Sequence, residues 1–273
     1  MILRYKPKYL WIQFVIWISL PITSIKQRFF PLKRKVDGFP DFLVIGAQKA
    51  GTTWLYANLK KHNELFLSEK KEIHYFDWNF HRSLRWYLNH FKGAGKKTKG
   101  EITPAYSTLD TLRIKHIHKC NPDLKIIFIV RNPIERAWSH ALNNYCVGMN
   151  VPYEKLTNDD FKWHFNSYAS LIRSDYAMTV KNWQEVFPKT QFHLCYYEDI
   201  KMQPEKLLNE CFSFLNVSEV NEFKEYPFSK VINKGPSHVI PESEMSVLKQ
   251  IYLPKIKAML PYLGERSQNW LNK

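Results

Sequence analysis

Residues 41–54, with the sequence DFLVIGAQKAGTTW, decide the fold of this chain. Four apolar residues stand between Pro40 and Gly46, a length typical of a buried strand rather than a helix. A turn that contains two glycines follows, and the apolar pattern from Trp54 onward predicts a helix. A strand, such a turn and a helix start together direct free backbone N–H groups at an anion. The stretch therefore predicts an anion-binding loop, and the plainer alternative is an ordinary strand-to-helix turn.

The spacing of this loop differs from that of nucleoside-triphosphate loops at one position. Those loops read G-x-x-x-x-G-K-[ST], in which the Lys contacts the outer phosphates and the hydroxyl binds Mg²⁺. Gly46 and Gly51 keep the spacing, but Thr52 occupies the Lys position, and the Lys of this loop is Lys49. The loop therefore predicts a nucleotide that has an anionic group at its 5′ end and is not a magnesium-bound triphosphate.

Short apolar runs alternate with helical patterns in the rest of the chain. Further strands are predicted near residues 73–76, 101–107, 125–130 and 192–197. This alternation indicates an α/β fold with a P-loop-like, mostly parallel central sheet flanked by helices. Ligands of such sheets bind at the carboxyl ends of the strands, where Lys49, Arg131 and Glu198 fall.

A helix is predicted from Pro133 onward, directly after the strand at residues 125–130. Its apolar stripe consists of Ile134, Ala137, Trp138, Ala141, Leu142 and Tyr145. Its polar side is predicted to carry Glu135, Arg136, Ser139, His140 and Asn143. Arg131 alone would be explained by a surface salt bridge, and Ser139 alone by a solvated helix position. The two together, after this strand, favour a shared anion.

The first 40 residues differ from the remainder of the chain. Residues 9–22 are apolar and aromatic, but they are fewer than the roughly 20 residues that span a bilayer. We predict that residues 1–40 are a membrane-associating segment and basic linker, in which residues 9–22 lie on the membrane surface, with the cytoplasmic face favoured. Two alternatives stay open: a short signal anchor, which would place the protein in the Golgi lumen, and a helix packed on the body of the protein.

The chain is basic, with a formal net charge of +15, and its first 35 residues contain basic but no acidic side chains. Such a charge suits an anionic cofactor, an anionic acceptor or a membrane surface. No nucleic-acid recognition motif accompanies it, so no nucleic-acid partner is expected. The four cysteines, Cys120, Cys146, Cys195 and Cys211, show no metal-site spacing, and buried thiols are predicted.

Several motifs, in one order along the chain, resemble those of sulfotransferases. Residues 49–55 are similar to the 5′-phosphosulfate loop of that family. The 3′-phosphate motif of the family is similar to Arg131, Asn132, Pro133, Arg136, Ala137 and Ser139. Segments of heparan-sulfate-type and bacterial enzymes are similar to residues 71–78, 100–106 and 197–199. Their co-occurrence is far more specific than any one motif. The resemblance predicts that residues 41–273 form a sulfotransferase domain.

The resemblance implies a co-substrate, 3′-phosphoadenosine 5′-phosphosulfate (PAPS), and no metal. Its sulfuryl group would pass to a hydroxyl or amine acceptor. The residues expected to bind PAPS are Lys49, Ala50, Gly51, Thr52, Thr53, Trp54, Arg131 and Ser139. Lys49 would also be catalytic, because its charge compensates the negative charge that grows on the leaving oxygen. Lys234 and Gly235 could cover the 3′-phosphate, although a plain turn explains them equally well.

The resemblance also implies that Glu72 is the catalytic base, assisted by His74 and Asp77, and it adds Glu101 to the acceptor-binding residues together with His74 and Asp77. Glu72 would act as a base if burial raised its pKa toward neutral, whereas the ordinary pKa of His74 is already near neutral, so His74 is the alternative base. The plain interpretation of Glu72 is an ion pair with Lys70 or Lys71 on a solvated edge.

Two departures from the heparan 3-O pattern leave the acceptor open: Thr53 where those enzymes carry Arg, and Ile102 where they carry an acceptor-binding Lys. The expected acceptor is therefore the broader class of molecules that carry a hydroxyl group. A carbohydrate or a glycolipid, and so a glycan or lipid-linked partner, is the main expectation within this class. Two other functions stay possible from the sequence. One is a P-loop kinase or NTPase with an unusual loop, and the other is a non-enzymatic, membrane-tethered binder of anionic polymers.

Overall fold

A computed structural model describes residues 36–228 and 236–272 of the chain. The predicted membrane-associating segment at residues 9–22 lies outside the described residues, as do Lys234 and Gly235. Within the described ranges, no helix combines the length and the apolar character that crossing a bilayer requires.

The described residues form one five-stranded sheet in which every pairing is parallel. In chain order the strands are β1 (Phe42–Gly46), β2 (Leu65–Leu67), β3 (Thr98–Ile102), β4 (Lys125–Val130) and β5 (Phe192–Tyr196). Their order across the sheet is β2-β3-β1-β4-β5. The prediction of a mostly parallel sheet flanked by helices is confirmed.

Helices connect the strands and cover the sheet. The α-helices are α1 (Thr52–Leu59), α2 (Leu84–Leu88), α3 (Thr111–Cys120), α4 (Pro133–Leu142), α5 (Asn158–Phe165), α6 (Tyr168–Ile172), α7 (Tyr176–Gln184), α8 (Asp199–Met202), α9 (Pro204–Leu215) and α10 (Glu242–Leu263). A π-helical segment, Asn143–Gly148, continues α4, and shorter 3₁₀ turns include Asn89–Phe91 and Pro104–Thr108.

The two central strands are buried along almost their whole length. All residues of β1 are buried, and in β4 all but Lys125 are buried. Strands of a parallel sheet are covered on both faces, which explains their continuous rather than alternating apolar sequences. The carboxyl ends of β1 and β4 therefore place the loop after Gly46 and Arg131 at the same edge of a rigid core.

Residues 73–76 do not form the second strand that the sequence predicted. The edge strand β2 consists of Leu65–Leu67 instead. Ile73 and Phe76 are buried, which explains their apolar pattern, but the backbone N–H of Tyr75 donates to the hydroxyl oxygen of Tyr106 at 2.8 Å rather than to a neighbouring strand. The segment is a buried loop held by side chains.

The sequence predicted Arg136 on the polar side of α4, but the structure places its side chain in the interior. Its side chain is fully buried, Nε donates to the Ser174 hydroxyl at 2.8 Å, and an NH2 group donates to the Ser170 carbonyl at 3.1 Å. A buried guanidinium needs such partners, because an unpaired buried charge is costly. Arg136 thus ties α4 to α6 and to the turn before α7. The predicted apolar stripe of α4, in contrast, is buried throughout.

Candidate active site

The loop between β1 and α1 has the geometry of an anion site. Gly51 precedes α1 with a left-handed φ of 90°, and the described residues provide no side-chain cap for it. The N–H groups of Thr52, Thr53 and Trp54 open the helix and have no carbonyl one turn earlier to bond. The helix start therefore offers backbone donors and the positive end of its dipole to an anion.

The backbone of Ala50 does not share this role. Its N–H donates to the carbonyl of Ala47 at 3.2 Å and closes the turn of the loop. The N–H of Ala50, a residue expected to bind PAPS, is therefore used within the loop, and the free backbone donors begin after it. Ala50 is fully buried, so its side chain packs the loop against the core.

Lys49 projects from the loop toward the end of α4. Its Nζ donates to Oδ1 of Asn143 at 2.9 Å, so its partner is an amide rather than a carboxylate. Burial, and then the positive charge of Arg131, lower the pKa of Lys49. A cation that is desolvated and close to a second cation is one that a bound anion would stabilise.

Arg131 lies against the same loop, at the carboxyl end of β4. Its Nη1 donates a hydrogen bond to the backbone carbonyl oxygen of Lys49 at 3.2 Å, and its Nε donates to Glu135 at 3.3 Å. Its guanidinium carbon lies 4.4 Å from the ring centroid of Tyr197. The structure thus brings together Lys49 and Arg131, which are far apart in sequence, as the sequence predicted.

Ser139 belongs to the same face of α4. Glu135, Ser139 and Asn143 follow one another at intervals of four residues, which places them on one side of a helix. The first of them contacts Arg131 and the last contacts Lys49. Ser139 therefore lies between the two contacts, on the side that faces the loop, and its side chain is partly exposed.

The electrostatic environment around the inner side of α4 is positive. His140 and His164 share a hydrogen bond of 3.1 Å between ring nitrogens. Burial lowers the pKa of His140 well below its usual range, and the positive charges of Arg136, Arg173 and Lys49 lower it further. The same surroundings that keep these imidazoles neutral favour a bound anion at the neighbouring loop.

A continuous series of contacts leads from the loop to the predicted acceptor residues. Lys71 Nζ donates to the Thr53 hydroxyl oxygen at 3.4 Å and lies 3.5 Å from Oε1 of Glu72. Oε2 of Glu72 lies 2.9 Å from Nε2 of His74, and Nδ1 of His74 lies 2.7 Å from Oδ2 of Asp77. The ion pair of Glu72 with Lys71 is thus present, but the shorter contact of Glu72 is with His74.

These contacts set the protonation states of the two candidate bases. Burial opposes the charged form of His74, but hydrogen bonds with Asp77 and Glu72 outweigh it and raise the pKa of His74 to about 9. Burial likewise opposes the charged form of Glu72, but the hydrogen bond from His74 and the charge of Lys71 give a net lowering of its pKa. The condition that burial raises the pKa of Glu72 toward neutral is therefore not met, because the neighbouring positive groups outweigh burial. At neutral pH the site holds an imidazolium between two carboxylates.

Trp78 covers one face of His74. The ring centroids lie 4.1 Å apart at an interplanar angle of 6°, and Trp78 is 50% exposed. A charged imidazole over an indole face gains a cation–π interaction. Half of a large aromatic surface therefore remains open to solvent beside the Glu72–His74 pair.

Glu101 lies behind this site and not in it. Its side chain is 1% exposed, and its two oxygens accept hydrogen bonds from Tyr87 at 2.8 Å, Thr103 at 2.7 Å and Tyr106 at 3.0 Å. Burial raises the pKa of Glu101 to about 7. The prediction that Glu101 contacts the acceptor is wrong, because Thr103, which accepts from the backbone N–H of His74 at 3.4 Å, separates it from the site.

Two residues of the site were not identified as ligand residues from the sequence. Asn143, on the predicted polar side of α4, orients Lys49, and Tyr197, at the end of β5, covers Arg131. The spacing from Ser139 to Asn143 was a usable signal for the first. Tyr197 belongs to the motif at residues 197–199 and to the carboxyl end of a strand, but neither signal indicates that its ring covers Arg131.

A family model described as a sulfotransferase domain matches residues 39–238 of this chain. The chain belongs to the sulfotransferase family. The family match extends over the loop, the Glu72–His74 pair and α4, so it covers the site described above and argues against a P-loop kinase or NTPase. The family comprises transferases of sulfuryl groups.

Curated relatives are similar to this sulfotransferase at low identity. The membrane-associated sulfotransferase kil1 of Dictyostelium discoideum is 24% identical, over 76% of this chain and 62% of that protein. Mouse heparan sulfate glucosamine 3-O-sulfotransferase 6 is 28% identical, over 70% of this chain and 56% of that protein. The chain therefore spans little more than half the length of these two relatives.

Solved structures share the fold. A sulfotransferase from Alicyclobacillus acidocaldarius superposes with a TM-score of 0.67 at 21% identity, over 85% of this chain and 98% of that one. Mouse sulfotransferase SULT7A1, solved in complex with PAP, superposes with a TM-score of 0.53 at 17% identity, over 87% of this chain and 90% of that one. The P-loop-like architecture of the family is thus shared with this chain.

Proposed function

We propose that this protein transfers the sulfuryl group of PAPS to a hydroxyl, or an amine, of a carbohydrate or glycolipid acceptor. The observation that carries the proposal is the series of contacts from Thr53 through Lys71 to Glu72 and His74. It joins an anion-binding loop to a charged Glu–His pair, so a donor on the loop and an acceptor at the pair would meet.

The described donors suit the two ends of the proposed co-substrate. The N–H groups of Thr52, Thr53 and Trp54, with Lys49, would hold the 5′-phosphosulfate, and Arg131 with Ser139 would hold the 3′-phosphate. Lys49 and Arg131 together carry more positive charge than Glu135 offsets, and a bound polyanion would restore the balance. That a sulfotransferase of the same fold was solved with PAP supports this assignment.

In the proposed reaction the acceptor oxygen forms a bond to sulfur while the bond from sulfur to the 5′-phosphate oxygen breaks. The acceptor proton passes to Glu72, whose carboxylate is already ionised because His74 and Lys71 stabilise it. The positive charge of Lys49 compensates the negative charge that grows on the departing phosphate oxygen. Asp77 holds His74 in place through Nδ1, and we propose this positioning role in preference to direct acceptor binding.

Trp78 supports a carbohydrate acceptor. Its exposed indole surface borders the Glu72–His74 pair and offers an apolar plane of the size of a sugar ring. The heparan sulfate enzymes among the relatives act, by their names, on glycans, and this likewise supports a glycan acceptor here. The departures at Thr53 and Ile102 favour an acceptor other than that of the 3-O enzymes.

The first measurement is transfer of radiolabelled sulfate from PAPS to a panel of oligosaccharides, glycolipids and simple alcohols. The second is binding of 3′-phosphoadenosine 5′-phosphate (PAP), measured by calorimetry on the same preparation. We expect transfer to at least one glycan or glycolipid, and PAP binding that weakens in Lys49→Ala. An absence of both transfer and PAP binding would refute the proposal. A binder of anionic polymers would show neither, and its polymer affinity would not change in Lys49→Ala.

We further propose that residues 9–22 attach the protein to a membrane, with the catalytic domain on the cytoplasmic side. The aromatic composition of the segment, the basic residues that flank it on both sides and the name of the kil1 relative support this. Flotation of the full chain with anionic vesicles tests attachment, and replacing Trp11 and Trp17 by Ser should release it. Protease protection in sealed membranes tests the side, and a protected catalytic domain would instead indicate the lumen.

A further inference from the structure

Three side chains, two from the edge strand β5 and one from α9, meet between this strand and this helix. His193 and Cys195 are two residues apart on β5 and so point to the same face, which α9 covers with Cys211. One ligand atom from each of the three lies within 4.8 Å of the others. Cys195 and Cys211 are buried, and each is a free thiol.

The sulfur spacing is that of two thiolates on one metal ion. The Sγ atoms of Cys195 and Cys211 lie 3.8 Å apart. Two sulfurs that each lie about 2.3 Å from a tetrahedral zinc ion are about 3.8 Å from one another, and a histidine nitrogen would lie about 3.6 Å from each sulfur. The imidazole would therefore need to move by about an ångström at most, which a change of its side-chain torsions supplies.

His193 connects this cluster to the outside. It lines a cavity of about 780 Å³ together with Asn209, Glu210 and Phe214, whereas the two sulfurs lie behind it. Its Nε2 is buried and has no hydrogen-bond partner among the described residues, although buried imidazole nitrogens are normally paired. The cavity supplies an entry path, and water or the Glu210 carboxylate can complete the coordination from it.

We propose that His193, Cys195 and Cys211 form a binding site for a thiophilic divalent cation, of which zinc is the expected occupant. Two sulfurs and one imidazole are donors that select zinc over magnesium or calcium. The site would fasten α9 to β5. It stands apart from the Glu72–His74 pair, so its role is structural and independent of the proposed function.

The test uses the full chain, reduced and stripped of metal with a chelator, then titrated with Co²⁺ as a spectroscopic probe and with Zn²⁺ as competitor. We expect about one ion per chain, a thiolate-to-cobalt absorption band that Zn²⁺ abolishes, and a melting temperature that rises with Zn²⁺ concentration. Cys211→Ser and His193→Gln should weaken binding by roughly tenfold or more.

Cys146→Ser is the matched control, because it removes a thiol outside the cluster and should leave the cobalt spectrum unchanged. Far-UV circular dichroism and a cooperative thermal transition, measured on each variant, show whether the variant has folded. A wild-type protein without a thiolate-to-cobalt band, or an unchanged band in folded Cys211→Ser, would overturn the proposal. So would a Cys195–Cys211 disulfide that forms in air equally fast whether or not excess Zn²⁺ was added beforehand, since a bound metal would hold both thiolates and slow the formation of the sulfur–sulfur bond.

Discussion

The carboxylate of Glu72 lies 2.9 Å from Nε2 of His74, and this contact favours the charged form of both groups, in the same direction as the contacts of His74 with Asp77 and of Glu72 with Lys71. Together these contacts keep Glu72 ionised and His74 protonated at neutral pH. The adjacent cation therefore keeps the candidate base ionised and free to take a proton, and it lowers rather than raises the basicity of the carboxylate. The sequence analysis made a raised pKa the condition for Glu72 to act as the base, and it did not foresee that His74 would offset the effect of burial.

Stability should depend on pH through His74. Folding raises its pKa from 6.5 to about 9, so the stabilisation is complete below about pH 6.5 and is lost as the pH rises through about 9. We expect the wild type to lose on the order of 2 kcal/mol of unfolding free energy across this window relative to His74→Gln, which is less than the full shift because the site is partly open to solvent. Urea denaturation of both proteins at several pH values measures this loss. Parallel pH profiles for the two proteins would contradict the charge state assigned to His74.

Glu72→Gln should abolish most of the transfer without preventing donor binding. The amide cannot take the acceptor proton, so we expect kcat to fall by about 10²–10⁴-fold while the Kd for PAP changes by less than about threefold. Glu69→Gln is the matched control, because Glu69 is three residues away, exposed and paired with Lys60. A kcat within a few fold of the wild type in Glu72→Gln would assign the base elsewhere.

Asn143 is expected to position Lys49. Its amide oxygen is the hydrogen-bond acceptor for Nζ at 2.9 Å, so Asn143→Ala should leave the Lys49 charge in place but misdirected. We expect kcat to fall by about tenfold while KM for PAPS changes little, since the loop N–H groups still bind the donor. Asn166→Ala, on an exposed position after α5, is the control. An equal loss in KM and none in kcat would show that Asn143 contributes to donor binding instead.

Trp78→Ala should weaken acceptor binding and also change the titration of His74. Loss of the stacked ring removes an acceptor surface worth about 1–2 kcal/mol, which corresponds to a rise in acceptor KM of roughly tenfold. The pKa of His74, followed by NMR, should fall because the cation–π contact is gone. Trp163→Ala, which removes another partly exposed Trp, on α5, should change neither quantity. An unchanged acceptor KM in Trp78→Ala would remove the support for a stacked sugar.

The sequence was sufficient for the elements whose signals are local. The buried strands β1 and β4 have continuous apolar runs, and the loop after β1 has a fixed glycine spacing, so the meeting of Lys49 with Arg131 follows from the parallel topology. The three-residue strand β2 is too short to show any periodicity. Residues 73–76 look like a strand because burial alone produces an apolar run, whatever partner takes the backbone N–H groups.

Two arrangements that the sequence does not reveal have a common physical cause: each depends on contacts between residues distant in sequence. Glu101 was expected to face the acceptor, but hydroxyl groups of Tyr87 and Tyr106 draw it into the interior. Cys195 and Cys211 lack metal-site spacing in the sequence, yet a strand and a helix bring their sulfurs to 3.8 Å. Neither arrangement can be deduced before the packing of the helices on the sheet is known.

Gly51→Ala tests whether the loop geometry requires a glycine. Gly51 has φ of +90°, and a Cβ there would clash with Cδ1 of Ile200 and lie 3.1 Å from Cδ2 of Tyr197. We expect a loss of about 2–3 kcal/mol in unfolding free energy and weaker PAP binding, because the loop or the Ile200 side chain must shift to relieve the clash and φ is unfavourable for alanine. Gly95→Ala separates the two causes, since Gly95 also has a positive φ, +56°, but has open space around its Cβ position. That control should lose only about 1 kcal/mol and keep its PAP affinity. The double variant Gly51→Ala/Ile200→Ala should recover part of the PAP binding that Gly51→Ala loses. If Gly51→Ala were instead as stable as the Gly95→Ala control, backbone strain and not the contact with Ile200 would limit this position.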